Sequence, residues 1–328
     1  MADVSCSIVI VSMNKPDMLR SCLDSIRSHT HAVSYETFVV AYLYDKAVLA
    51  RLRREYPWVL FVESDEIRGF SENNNLALRQ AQGRYCFVVN DDTLWHQPVI
   101  DSLVAGLGQL KVSHPKAAII SPVILKADQT TVQYCGRSPI NAWQSILLFL
   151  NAWHDYTPGP YTHQQGIFQT YNICGAAFLI DRQVFQDFGW FDERFFFCPE
   201  DIDLSTRLNQ AGYSCWVDSG TQLVHLEGMS GKSLSRIQTA TMPAYIKGTC
   251  LFYAHGKPMR WLAMAAGFAL ALLLNMCRHW LRSWLRPRPN TDQVLATGEL
   301  HSLLSLCDGR SPKEAFIHYY NRMRRQEG

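Results

Sequence analysis

The sequence lacks the patterns that mark several common classes of protein. No GxGxxG follows the first strand-like segment, which argues against a nicotinamide-dependent oxidoreductase. The ten cysteines are scattered, without a CxxC pair, so we expect reduced thiols rather than a disulfide framework. The N-terminus has no basic region, apolar run and cleavage site in the order that a secretory signal needs. The cytoplasm is therefore the expected compartment.

Charge is low and apolar content is ordinary. A formal net charge of +2 gives no reason to expect a nucleic-acid partner. The hydrophobic fraction of 48% argues against long disordered segments. A chain of 328 residues can bury a large core, in one large domain or in two unequal ones.

The first third of the sequence alternates between strand and helix patterns. Pro16 is well placed to open the first helix. The alternation predicts a mostly parallel sheet covered by helices on both faces. Ligands bind at the carboxyl ends of such strands, so we expect Asn14, Tyr42 and Asp91 to line one crevice. The predicted strands are 7–11, 37–41, 60–63 and 85–89, and the predicted helices are 16–27, 45–55 and 73–82.

The middle of the chain has a weaker pattern. Residues 131–171 show little periodicity and predict a long connection over the sheet. Order returns with a strand at 175–180, a helix at 184–188 and a helix at 200–211 that Gly212 ends. A last strand at 214–217 leads toward His225, which we place just beyond it.

Two acidic clusters are candidates for chemistry. Asn90-Asp91-Asp92 follows a strand, and adjacent carboxylates there can hold a divalent cation such as Mg²⁺. The same residues also favour a simple turn. Glu200 and Asp201 open a helix, where acidic residues favour the positive end of the helix dipole. A carboxylate of this cluster could instead act as a general base toward an acceptor hydroxyl.

Two further polar features gain meaning only together with the carboxylates. His225 could complete a metal site, although a lone histidine is more often structural. Asn73, Asn74 and Asn75 favour a helix start, where they could face a nucleotide or only cap the helix.

The C-terminal third contains an apolar run at residues 261–276, interrupted only by Gly267 and Asn275. It is shorter than the roughly 20 residues that a membrane-spanning helix needs. Tryptophans and arginines follow it, a combination that suits the membrane–water interface. We expect a helix at about 259–285 that lies in the interface, with a spanning helix and a buried core or dimer helix as alternatives. The following residues are Arg278, Trp280, Arg282, Trp284, Arg286 and Arg288.

In order, these segments resemble the inverting family 2 glycosyltransferases of the GT-A fold, typified by bacterial rhamnosyltransferases of polysaccharide and O-antigen assembly. The resemblance runs from Ser7 to Gly228. It is carried by SIVIVSMNKPDML, RGFSENNNLALRQAQGRYCFVVNDDT, CGAAFLIDRQVFQDFGWFDERFFFCPEDIDLSTRLNQAGY and VHLEG.

The resemblance implies a role for each candidate residue. Asp92 and His225 are expected to bind a divalent cation, Mg²⁺ or Mn²⁺. Asp201 is expected to be the catalytic base, with Glu200 beside it. The residues expected around the nucleotide are Ser12, Asn14, Tyr42, Asn74 and Asp91.

One position departs from the family pattern. The second strand of these enzymes usually ends in an aspartate that helps to recognise the base, and Tyr42 stands there. Tyr42 could stack on or hydrogen-bond the base, or Asp45 could replace the aspartate from one turn later. Ile67 is a smaller departure, at a position where the family often has asparagine.

The expected activity is transfer of a sugar, rhamnose as the first guess, from a nucleotide diphosphate to a saccharide hydroxyl. The acceptor is expected to be lipid-linked, and the enzyme to lie at the cytoplasmic face of the cell membrane. We expect a catalytic domain at 1–230 and a helical extension at 231–328. One alternative is an inactive scaffold protein with the same fold in a membrane assembly. A nucleotidyltransferase is disfavoured because residues 12–19 contain no glycine for a phosphate loop.

Overall fold

The computed structural model describes residues 4–151, 161–226, 237–285 and 289–325. The chain forms two compact units. The sheet unit contains Met1–Pro139, Tyr156–Asp192 and Glu200–Met229. The helical unit contains Ile140–Asp155, Glu193–Pro199 and Ser230–Gly328.

The sheet unit is built on one mixed sheet. Its strand order is β3-β2-β1-β4-β9-β6-β10-β5, with β7 paired to β6 and β8 paired to β10. Most paired residues belong to the parallel pairs β1–β2, β2–β3, β1–β4 and β6–β10. The prediction of a mostly parallel sheet flanked by helices is therefore confirmed. The strands are β1 (Cys6–Met13), β2 (Tyr35–Tyr42), β3 (Val59–Ser64), β4 (Tyr85–Asn90), β5 (Thr93–Leu94), β6 (Ala117–Leu125), β7 (Val132–Tyr134), β8 (Ile167–Thr170), β9 (Ala177–Asp181) and β10 (Ser214–His225).

Side-chain alternation along the strands builds a core on each face of the sheet. Ile8 and Ile10 of β1 join one apolar cluster, and Val9 joins the other. This follows from the two-residue period of a strand, which sends neighbouring side chains to opposite faces. The helices of this unit are α1 (Pro16–His29), α2 (Lys46–Glu55), α3 (Phe70–Leu78), α4 (Val99–Ser113), α6 (Arg182–Asp187) and α7 (Glu200–Gln210).

The middle of the chain is more regular than the sequence suggests. Residues 131–171 contain β7, β8 and the helix α5 (Ala142–Phe149), so the expected structureless connection is wrong for the described part. Residues 152–160 of that connection lie outside the described residues. The prediction also contained no element for β6, although β6 lies near the centre of the sheet between β9 and β10.

Two predicted boundaries are also corrected. The strand at 214–217 continues through β10 to His225, so His225 is the last residue of that strand rather than beyond it. The helix α3 begins at Phe70, with Gly69 as its N-cap residue. Asn73, Asn74 and Asn75 therefore lie inside the helix and do not cap it.

The helical unit packs α5 with four longer helices. These are α8 (Gln238–Ala254), α9 (Pro258–Leu285), α10 (Pro289–Leu306) and α11 (Pro312–Arg325). One face of α9 is buried in the unit through Met264, Ala265, Phe268, Ala271 and Leu272. Phe268 contacts Phe149 of α5 edge to face, with ring centroids 5.7 Å apart.

The other face of α9 is apolar and exposed. We call it the apolar stripe, and its spacing follows the turns of the helix. By length and composition, Pro258–Arg282 is long and apolar enough to cross a membrane. The apolar stripe consists of Met259, Leu262, Leu270, Leu273, Leu274, Trp280 and Leu281.

Candidate active site

The carboxyl ends of the central strands meet at one edge of the sheet. In the parallel register, Met13 at the end of β1 lies beside Tyr42 at the end of β2. On the other side of β1, Val11 lies beside Asn90, the last residue of β4. This is the edge at which α/β sheets bind ligands, and the sequence-predicted residues Ser12, Asn14, Tyr42 and Asp91 belong to it.

Ser12 and Tyr44 form a buried hydroxyl pair at this edge. The Ser12 Oγ atom lies 2.7 Å from the Tyr44 hydroxyl oxygen, and both side chains are buried. Burial raises the pKa of Tyr44, and the hydrogen bond with Ser12 opposes that increase. Sequence reasoning missed Tyr44, which follows β2 after a turn at Leu43 with φ of 52°.

Asn14 and Tyr42 are both held by backbone groups of neighbouring loops. The Asn14 Oδ1 atom accepts a hydrogen bond from the Asp45 backbone N–H at 3.3 Å. The hydroxyl of the buried Tyr42 accepts one from the Arg68 N–H at 3.4 Å. The Asp45 carboxylate is engaged as the N-cap of α2, where it accepts from the N–H groups of Ala47 and Val48.

Asp91 is a largely buried carboxylate with an unsatisfied oxygen. Burial raises the pKa of Asp91 to about 6, and the neighbouring Asp92 carboxylate adds to this increase. Ser12 and Lys15 act in the opposite direction. Within the described part of the chain, Asp91 Oδ2 has no hydrogen-bond partner. A buried carboxylate oxygen in this state is stabilised by a cation or by a hydroxyl donor.

The fold brings Asp92 and His225 together. Thr93 of β5 pairs with His225 of β10 in antiparallel register, and the Leu226 N–H donates to the Asp92 carbonyl at 2.8 Å. As a result, His225 Nε2 lies 3.0 Å from Asp92 Oδ1, and both side chains are buried. The last two residues of the VHLEG segment, Glu227 and Gly228, lie outside the described residues.

Two amide side chains complete the surroundings of His225, and sequence reasoning missed both roles. Asn90 Nδ2 lies 3.3 Å from His225 Nε2. Gln133 Oε1 lies 2.9 Å from His225 Nδ1. Asn90 was part of the acidic motif, but nothing in the sequence connects Gln133 with a histidine 92 positions later.

This edge carries a pair of donor groups that fits a divalent cation. Asp92 and His225 offer a carboxylate oxygen and an imidazole nitrogen, donors that suit Mn²⁺ or Mg²⁺. No group of three or more His, Cys, Asp or Glu side chains arranged to hold a metal occurs among residues 4–151, 161–226, 237–285 and 289–325. A cation here would therefore keep positions for water or phosphate oxygens, as Mg²⁺ usually does.

Asp201 is fixed by backbone donors at the start of α7. Its Oδ2 atom accepts from the Gly175 N–H at 3.0 Å, and its Oδ1 atom accepts from the Ile202 N–H at 2.8 Å. Glu200 beside it is buried. Each oxygen of Asp201 can accept a second hydrogen bond, so the carboxylate can take a proton from an incoming hydroxyl.

The three asparagines of α3 make hydrogen bonds inside the sheet unit. Asn75 bonds both the N–H and the carbonyl of Phe191. Asn73 accepts from the Ser64 hydroxyl at 2.7 Å. Asn74 donates to the Phe70 carbonyl at 2.9 Å and is 1% exposed. Contact between Asn74 and a nucleotide remains a prediction.

Comparison with known proteins finds one matching family model and several similar proteins. The family model described as "Glycosyltransferase like family 2" matches residues 4–237. The O-antigen biosynthesis protein RfbC of Myxococcus xanthus is 25% identical over 230 residues, which cover 69% of this chain and 18% of that protein. The N-acetylglucosaminyl-diphospho-decaprenol L-rhamnosyltransferase of Mycobacterium tuberculosis is 26% identical over 189 residues, which cover 54% of this chain and 59% of that protein. The chain thus spans less than two thirds of each relative.

Solved structures with the same fold include two glycosyltransferases. GalNAc-T7 with UDP, GalNAc and Mn²⁺ superposes with a TM-score of 0.54 at 14% identity, over 68% of this chain and 43% of that one. The mannosyltransferase PcManGT of Pyrobaculum calidifontis, in complex with GDP-Man and Mn²⁺, gives a TM-score of 0.50 at 16% identity. That match covers 92% of this chain and 88% of the other.

Proposed function

Because the chain belongs to the glycosyltransferase-like family 2 and has the GT-A fold, we propose that it transfers a sugar from a nucleotide diphosphate to a saccharide hydroxyl. The observation that carries this proposal is the buried contact of Asp92 with His225, beside Asp91, at the carboxyl edge of the sheet. This edge is where a nucleotide would bind.

Asp92 and His225 would hold a divalent cation, which when bound stabilises the negative charge that develops on the diphosphate leaving group. Mn²⁺ in the two similar structures supports a divalent cation in general. Around it, Ser12, Asn14, Tyr42 and Asn74 are the proposed contacts for the nucleoside, together with Asp91.

Asp201 is the proposed catalytic base, with Glu200 beside it. Its carboxylate accepts the proton of the acceptor hydroxyl while the hydroxyl oxygen bonds to the anomeric carbon. The bond from that carbon to the diphosphate oxygen breaks on the opposite face, so the anomeric configuration is inverted. The N–H groups of Gly175 and Ile202 keep the base in one orientation.

The names of the relatives narrow the proposed substrates. The mycobacterial relative is named as a rhamnosyltransferase that acts on a decaprenol-linked diphosphate saccharide, and the other relative is named for O-antigen biosynthesis. We therefore place this protein in cell-surface polysaccharide synthesis, with rhamnose as the first donor sugar to test and a lipid-linked saccharide as acceptor.

Attachment to the cytoplasmic face of the membrane is part of the proposal. The apolar stripe of α9 leaves between 47% and 76% of each of its residues exposed, and an exposed apolar surface of this kind suits contact with a membrane or a protein. No Asp or Glu occurs from Lys257 to Leu285, whereas Lys257, Arg260, Arg278 and Arg282 do. These cations complement anionic lipid headgroups. Because the opposite face of α9 is packed inside the helical unit, an interfacial position suits the helix better than a span.

The test is titration of the purified full chain with a panel of nucleoside diphosphates and their sugars, with and without Mn²⁺ or Mg²⁺. Cation-dependent binding of one nucleotide, followed by sugar transfer to a lipid-linked saccharide, is the expected result. A folded protein that binds no nucleotide would overturn the proposal. That outcome would favour an inactive scaffold protein, for which the departure at Tyr42 gives a reason.

A further inference from the structure

Gln133 is the middle residue of β7, which forms a hairpin with β6. Hydrogen bonds on both sides of Gln133 hold this hairpin together. The Asp128 carboxylate accepts from the Thr130 N–H, the Thr131 N–H and the Thr131 hydroxyl, and these bonds lower the pKa of Asp128 to about 2. Next to Gln133, Tyr134 is buried, and its hydroxyl donates to the Asn172 carbonyl at 2.6 Å. The backbone on both sides of Gln133 is therefore fixed.

The two ring nitrogens of His225 face different chemical groups. Nδ1 faces the carbonyl oxygen of the Gln133 amide at 2.9 Å. That oxygen only accepts hydrogen bonds, so this contact requires the proton on Nδ1. Nε2 faces the amide nitrogen of Asn90 at 3.3 Å. That nitrogen only donates, so this contact requires a lone pair on Nε2. These two contacts favour the Nδ1–H tautomer, whereas Asp92 Oδ1, an acceptor 3.0 Å from Nε2, favours a proton on Nε2.

The Nδ1–H tautomer has one unfavourable contact, with Asp92, and a cation bound to both groups would remove it. With the proton on Nδ1, the lone pair of Nε2 points toward Asp92 Oδ1, an acceptor only 3.0 Å away. Both groups are buried, so water screens their repulsion poorly. Positive charge that both atoms can contact converts this repulsion into two favourable interactions.

We propose that Gln133 is a positioning residue that holds the proton of His225 on Nδ1 and thereby directs the Nε2 lone pair to the cation. This inference rests on the proposed function for the identity of the cation-binding pair. It makes a claim about the cation-free protein as well, because the contacts of Gln133 and Asn90 exist without a ligand.

The experiment is NMR of the cation-free full chain labelled with ¹⁵N-histidine. The His225→Gln variant identifies the signals of His225. We expect the Nδ1–H tautomer in the unchanged protein and in Gln133→Glu, whose carboxylate is also an acceptor. In Gln133→Leu we expect a shift toward the Nε2–H tautomer, which can donate to Asp92.

Mn²⁺ affinity, measured by titration without nucleotide, is the second readout. Loss of an outer hydrogen-bond partner of a metal-binding histidine typically weakens binding about 10- to 100-fold. We expect a decrease of that size in Gln133→Leu and none in Gln133→Glu. Thr130→Ala, an exposed position in the same hairpin, is the matched control and should change neither readout.

An Nε2–H tautomer in the unchanged protein would overturn the inference. Unchanged tautomer and Mn²⁺ affinity in a folded Gln133→Leu variant would do the same. If the protein has the Nδ1–H tautomer but binds neither Mn²⁺ nor nucleotide, the role of Gln133 in fixing the tautomer is supported and the proposed function fails.

Discussion

The two units of this protein distribute polar and apolar side chains in opposite ways. The sheet unit packs apolar side chains on both faces of its sheet and gathers Asp91, Asp92 and His225 at the end of its strands. The helical unit exposes the apolar stripe of α9 and buries polar groups such as Lys247 and Glu299. An exposed apolar face is unfavourable in water, whereas Lys247 is satisfied by the Asp308 carboxylate and the Arg310 carbonyl. The contrast agrees with the roles proposed above, a charged ligand for the first unit and an apolar environment for the second.

The largest expected effect is on catalysis, and it separates the proposed base Asp201 from the proposed cation ligand Asp92. Asp201→Asn should lower kcat by about 10²- to 10⁴-fold, because an amide cannot take the proton of the acceptor. Binding of nucleotide with Mn²⁺ should stay unchanged. Asp92→Asn should instead abolish cation-dependent binding. Steady-state kinetics and titration calorimetry measure both effects, and a catalytically normal Asp201→Asn would remove Asp201 from the proposed mechanism.

The apolar stripe provides the next largest effect. Replacing Leu270, Leu273 and Leu274 with Gln removes apolar area that the membrane would bury, worth about 1.5 kcal/mol or more of binding free energy for each leucine. Binding to vesicles that contain anionic lipid should weaken by at least about 100-fold, as measured by co-sedimentation. Val112→Gln is the matched control, because Val112 is 87% exposed but lies outside the stripe. Equal binding of both variants would contradict the membrane assignment.

A smaller effect concerns the buried charge of the helical unit. Burial raises the pKa of Glu299 to about 7, compared with about 4.3 in an unfolded chain. Between these values the unfolded state binds fewer protons, so the free energy of unfolding falls as the pH rises. The decrease should be on the order of 2–3 kcal/mol and end above the folded pKa.

Unfolding by urea at about pH 5 and about pH 8 tests this expectation. Glu299→Gln should reduce the dependence on pH and stabilise the protein at the higher pH, where the glutamate would carry its charge. Glu66→Gln serves as control because the Glu66 side chain is 77% exposed. An unchanged pH dependence in Glu299→Gln would show that other groups cause it.

The smallest expected effect concerns Asp45, which could replace the aspartate that the family usually has at the position of Tyr42. Asp45→Ala removes the cap of α2 and should lower the free energy of unfolding by about 1 kcal/mol. Asp45→Asn keeps a capping oxygen and should be nearly neutral. Nucleotide preference should be the same in both variants, since the Asp45 carboxylate is already engaged. A change in base preference would support the alternative that Asp45 replaces the missing aspartate.

The elements that could be predicted from the sequence are those with a plain apolar run and a clear polar end. β1 and β4 are apolar runs that end in polar residues, and the structure places both where they were expected. β6 was not predicted, and it contains Pro122, a residue that argues against a central strand. The structure accommodates Pro122 where the register of β10 shifts between Asp218 and Gln222. Similarly, Gly69 is the N-cap residue of α3, and the Glu72 side chain accepts a hydrogen bond from the Gly69 N–H. The asparagines that favour a helix start therefore lie inside the helix.

Residues of the candidate site differ in how visible they are in sequence. Asp91, Asp92 and Asp201 stand out because carboxylates follow a strand or open a helix, and His225 gains meaning from its position in the same ordered set. Tyr44 and Gln133 carry no such signal. Each reaches the site through a turn or a hairpin whose geometry appears only when the sheet has formed, so periodicity could not identify them.

The pairing of β5 with β10 has a consequence for the synthesis of this protein. Asp92 is made early, but His225 and the strand that holds it are added 133 residues later. A nascent chain on the ribosome therefore has the four parallel strands β1 to β4 and their polar edge long before it has the histidine. N-terminal segments begin to fold during translation, yet the Asp92–His225 pair can form only after residue 225 has emerged. Incomplete chains, and fragments cut before β10, would carry the acidic half of the site alone.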